Sequence, residues 1–169
     1  MTGKLIRTVS FILVFGLIAI CNLTAQTNGL NGTWVNDEHG VQTEFILNNG
    51  YFENSVVTSS GSTFSKGNYT AENGILTIER THIMWVEGRI VKILGLKSGK
   101  WYTYNEELNI YRNLYQKEGI PESEINRIIE LMSSSSQYDY LVDSSFLILT
   151  KVHTFEGFTF IEDSVYTRK

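Results

Sequence analysis

Between Gly32 and about Ile83, apolar and polar residues alternate in short runs, broken every 8 to 12 residues by Asn, Gly and Ser. A period of two sets one face of each run against a core and the other in water, which predicts half-buried β-strands. The runs are 33–36, 41–47, 51–57, 63–71 and 75–83. Asn48-Asn49-Gly50 and Glu72-Asn73-Gly74 separate two pairs of them with residues that tolerate positive φ, as tight hairpins require. Each run is therefore expected to fold back on its predecessor, and such meanders close into barrels because closure removes exposed strand edges.

After residue 100 the period lengthens to about 3.6. Leu108, Tyr111 and Tyr115 mark one helical face, and Ile125, Ile128, Ile129 and Met132 mark another. Thr103 and Glu106 have capping-box spacing, Gly119 can close the first helix, and Pro121, Glu122 and Glu124 suit the first turn of the second. The expected fold is mainly β, an antiparallel up-and-down meander barrel with a two-helix insertion at about 104–133. Residues 86–100 fit either a hairpin or a short helix. Tyr69, Glu72, Leu76 and His82 recur 71 residues later as Tyr140, Asp143, Leu147 and His153, the pattern of a repeated hairpin or of shared turn chemistry.

The first 25 residues follow a different rule. Lys4 and Arg7 precede an apolar run from Val9 to Ile20, too short for the roughly 20 residues that cross a bilayer as a helix. This predicts a secretion signal cleaved after Ala25, with residues 26–169 as one exported domain, periplasmic or secreted. Cys21, the only cysteine, offers the alternative of a lipid-modified N-terminus that tethers the domain to the envelope. Ile20 before it is bulkier than lipoprotein processing prefers. Either way no disulfide is available, and packing alone must hold the domain.

Loss of the signal leaves 12 basic and 18 acidic residues, a net charge of −6 against −4 for the whole chain. An acidic surface without a basic cluster argues against nucleic acid or acidic lipid as partner, so contact with a membrane is expected only if Cys21 is lipidated. His39, His82 and His153 are dispersed, with no metal-ligand spacing. No phosphate-cradling glycine loop, Gly-x-Ser-x-Gly or cysteine nucleophile follows the signal. The expectation is a protein that is not an enzyme and carries no metal or cofactor.

Gly32-Thr33-Trp34 opens the first strand, and Tyr166-Thr167-Arg168-Lys169 closes the last. In these motifs the chain resembles the lipocalin-like domains of bacterial envelope proteins, members of the calycin superfamily. The resemblance implies that Trp34 plugs the closed end of the barrel while Arg168, from the last strand, stacks on the indole, for about 0.5 to 2 kcal/mol of cation-π attraction. The helical pair departs from the family's usual plan.

Aromatic residues fall on nearly every strand, where they either fill a core or line a pocket. Trp85, Trp101, Tyr111 and Tyr115 are the candidate pocket or lid residues, with Trp101 and Tyr102 at the hinge of a helical lid. The expected function is binding of a small apolar or amphipathic ligand inside the barrel. The alternative is an envelope interaction or inhibitor module that uses the barrel as a scaffold and exposes an apolar patch on the helical pair.

Overall fold

The computed structural model describes residues 29–155 and 158–169. The predicted signal and Cys21 lie outside them. Nine strands are described: β1 (Gly32–Glu38), β2 (Val41–Asn48), β3 (Tyr51–Thr58), β4 (Gly61–Glu72), β5 (Ile75–Val86), β6 (Trp101–Thr103), β7 (Ser135–Val142), β8 (Phe146–Phe155) and β9 (Phe158–Arg168). Three helices join them: α1 (Gly88–Ile93), α2 (Tyr104–Lys117) and α3 (Glu122–Leu131). All pairings are antiparallel. Eight strands close into a barrel, because β4 pairs with β5 and β1 with β9, while β6 is a short addition.

The turn residues do what their chemistry requires. His39-Gly40, Asn49-Gly50 and Asn73-Gly74 all have positive φ, the two-residue geometry whose twist matches that of the flanking strands. The β7–β8 connection works differently: the Asp143 carboxylate accepts from the amides of Ser145 at 2.6 Å and Phe146 at 2.8 Å. Leu76 and Leu147, equivalent in the 71-residue repeat, are both fully buried.

One end of the barrel is filled with apolar side chains. Leu30, Trp34, Leu47, Phe52, Leu76 and Leu147 pack there, and the Trp34 indole donates to the Leu30 carbonyl at 2.8 Å. The Arg168 guanidinium lies 4.7 Å from the Trp34 ring centre and donates to the carbonyls of Gly29 at 3.0 Å and Asn31 at 2.8 Å. It thus covers the indole and satisfies two carbonyls of the segment that leads into β1.

β5 carries the main irregularity. One edge pairs with β4 along its length, whereas the other pairs with β7 over Ile75–Glu79 and with β6 over His82–Met84. Between these segments the β4–β5 register shifts: Gly67 opposes Arg80, Lys66 opposes His82, and Thr81 is the extra residue of a β-bulge. The Thr81 hydroxyl donates to the Lys66 carbonyl at 3.2 Å. Because of the extra residue, Arg80 and Ile83 both face inward.

α1 resolves residues 86–100 in favour of a short helix. α2 starts with the predicted capping box, Thr103 and Glu106 each accepting the other's amide. Its chain packs on β5 and β6. A second apolar cluster of Ile83, Trp85, Val91 and Tyr102, flanked by Leu96 and Ile110, binds α1 and α2 to the inner side of this upper wall. The barrel interior is therefore apolar at two levels.

Candidate functional site in the barrel interior

Between the two apolar levels the lining changes character. Along β5 the inward side chains run Leu76, Ile78, Arg80, Ile83 and Trp85, so one cation interrupts an apolar series. Ile78 belongs to the lower cluster and Ile83 to the upper. Arg80 lines a cavity of about 330 Å³ with Phe52, Asn54, Ser65, Ser136 and Tyr138. A second cavity of about 190 Å³ shares Phe45, Asn54, Ile78 and Tyr138 and adds Leu149, Lys151, Glu162 and Tyr166. Lys151 and Glu162 are register partners on β8 and β9, and the Lys151 ammonium lies 5.5 Å from the Tyr138 ring centre. An apolar floor and a polar upper wall thus bound one region of the interior.

Glu107 enters this region from α2. Its carboxylate forms a fork with Arg80: Nη1 donates to Oε1 at 3.2 Å, and Nη2 lies 2.7 Å from Oε2. The second contact is close enough for an ion pair but lacks hydrogen-bond direction, which leaves Oε2 without a hydrogen bond. Glu107 is 4% exposed, the one charged side chain that is buried among the described residues. Burial pushes its carboxyl above the usual range, and the attraction of Arg80 opposes this without cancelling it. Burial also raises the Tyr111 phenol, with the Glu107 charge adding to the effect, and raises the Tyr166 phenol inside the barrel.

The four residues predicted as pocket or lid separate. Trp85 is buried in the upper cluster, 5.8 Å from Tyr102 between ring centres. Trp101 faces outward beneath the Lys66 ammonium, which lies 4.4 Å from its ring centre, and borders a shallow outer groove with Ile46 and Phe64. Tyr111 and Tyr115 stack on each other along α2, their centres 6.3 Å apart. None of the four lines the two interior cavities. The alternation of β5 and β6 explains the split, since Trp101 is the register partner of Met84, on the opposite face from Ile83 and Trp85.

Sequence reasoning missed Asn54, Arg80, Glu107, Tyr138, Lys151 and Glu162. A signal for two of them was present: Arg80 has the parity of Leu76 and Ile78, and Glu107 falls on the Tyr104, Tyr111 face of α2. A charge at an inward position is the informative exception to alternation.

His82 accepts from or donates to the Thr81 hydroxyl at 2.9 Å and sits on β5, while His153 sits on β8, a strand not paired with β5. His39 occupies the β1–β2 turn. Among the described residues, no three His, Cys, Asp or Glu side chains could share a metal ion, and no helix is long and apolar enough to cross a membrane. No protein-family model matches the chain, nor does any curated protein or solved structure.

Proposed function

We propose that this chain is an exported, non-enzymatic binding protein of the lipocalin-like, calycin type, which holds a small amphipathic molecule inside its barrel. The observation that carries the reading is the layered interior: cavities of about 190 and 330 Å³ with Phe45, Ile78 and Leu149 at one level and Asn54, Arg80 and Lys151 at the next. Such a lining matches a molecule with one apolar and one polar end, because a purely apolar ligand would strand the polar groups without partners. The Trp34–Arg168 stack supports the calycin assignment, and α2 closes the flank where β5 changes partner.

Titration with single-chain amphiphiles, followed by chemical shifts of Ile78, Leu149 and Tyr138, tests this. Saturable shifts that disappear in Ser136→Phe, which fills the larger cavity, are expected. A folded protein whose interior resonances do not move with any amphiphile would refute it.

One observation favours a scaffold for protein contacts instead. Leu141, 72% exposed, pairs in register with Ile148, and Ile148 with Val165, an apolar row on the outer face of β7, β8 and β9. Capture of a partner that is lost on Leu141→Lys, with the interior unresponsive to amphiphiles, would support that reading.

A further inference from the structure

Arg80 interrupts an inward series that apolar residues on both sides would continue at lower cost. Replacement of a buried ion pair by packed apolar side chains is often neutral or stabilising, so the Arg80–Glu107 pair is a poor means of holding α2 for stability alone. Its geometry is also incomplete. A guanidinium has five N–H donors; among the described residues, one of them makes a well-directed side-chain hydrogen bond, to Glu107 Oε1, and a second lies close to Oε2 without that direction. The remaining capacity sits at the wall of the 330 Å³ cavity, beside further donors on Asn54, Ser65, Ser136 and Tyr138. Those groups line the same cavity as the guanidinium.

We infer that Arg80 anchors the anionic head group of the amphipathic ligand, and that Glu107 holds this position in the empty barrel as a displaceable latch on α2. The inference rests on the binding function proposed above and specifies its ligand class: a single-headed carboxylate, sulfonate or phosphate amphiphile. The head group exchanges with the Glu107 carboxylate at Arg80. Displaced, Glu107 leaves its buried position, and α2 loses the ion pair that ties it to β5. Ligand entry and loosening of the helix become one event.

The probes are decane-1-sulfonate, which stays anionic across the working pH range, and decan-1-ol, which has the same tail and no charge. Their affinities for the full folded domain are compared at pH 7 in wild type, Glu107→Gln, Arg80→Gln and Glu44→Gln. Glu44 pairs with Lys169 on the outside and controls for the loss of one negative charge. Removal of the competing carboxylate is expected to raise the sulfonate-to-alcohol affinity ratio roughly tenfold in Glu107→Gln, and removal of the anchor to lower it by about as much in Arg80→Gln. Glu44→Gln should leave the ratio unchanged. In wild type, which needs no substitution to fold, the sulfonate should speed amide exchange over 104–117 and the alcohol should not. Equal affinities for both probes in every variant, or sulfonate protection of α2, would overturn the latch while leaving amphiphile binding intact. Binding of neither probe would overturn both.

Discussion

Gly67→Ala tests the bulge that turns Ile83 and Trp85 to the same inner face as Arg80. Gly67 stands opposite the bulge on β5, and a Cβ built on it would lie 2.0 Å from the Glu79 carbonyl oxygen and 2.9 Å from both the Thr81 nitrogen and the Phe52 ring. Two of these neighbours are backbone atoms fixed by the β4–β5 ladder, so no rotamer change relieves the overlap. The strands must separate by more than about 1 Å or the bulge must move, which puts the cost at the upper end of overpacking, about 3 kcal/mol. Gly74→Ala is the control. Gly74 has φ +79° and nothing within 4 Å of the point where a methyl carbon would stand, so only the left-handed backbone is penalised, by about 1 kcal/mol. For an m-value of about 2 kcal/mol per M urea, the midpoint should fall by about 1.5 M in Gly67→Ala and about 0.5 M in Gly74→Ala. The reasoning is wrong if Gly67→Ala loses no more than its control at an unchanged m-value.

Three further outcomes are expected. Leu76→Ala, at a fully buried position of the lower cluster, should cost about 3 kcal/mol and lower Tm by roughly 10 °C in a thermal scan. Arg168→Lys keeps the charge but loses the guanidinium plane over Trp34 and its paired contacts to the Gly29 and Asn31 carbonyls; a loss of about 1 kcal/mol by urea unfolding checks this, discounted for the exposure of the arginine. Burial raises the Glu107 carboxyl in the folded state, so its contribution is fully present below the ordinary glutamate range and is lost as pH rises through the folded value. Wild type should therefore lose stability relative to Glu107→Gln between acid and neutral pH in urea titrations, and the opposite slope would contradict the assigned cause.

The strands and turns were legible in the sequence because they obey local rules. Alternation located β1 to β5 within a few residues, and the Asn-Gly pairs at 49–50 and 73–74 marked two hairpins. The α2 capping box was readable for the same reason. The interior was not legible. Whether Trp101 faces in or out depends on its register with Met84, a pairing set by residues far apart in sequence. The Arg80–Glu107 contact joins a strand to a helix 27 residues later, so no local pattern pairs the two. Alternation alone would send Ile83 to the opposite face from Arg80, so one inserted residue defeats the parity argument at the point where the cavity begins.

The β1–β9 join also governs the order of assembly. Each hairpin from β1 to β5 pairs with a neighbour only a few residues away, but Trp34 meets Arg168 across 134 positions. Such distant pairing is slow, since most of the chain must be ordered before its ends can meet. Until then the free edge of β1 is a template for another chain, and Trp34 lacks its cover. A chain that emerges from a channel N-terminus first would hold that edge open until its last strand arrived. The arginine that caps the indole therefore sets the end of the interval during which a folding intermediate needs protection from its own copies.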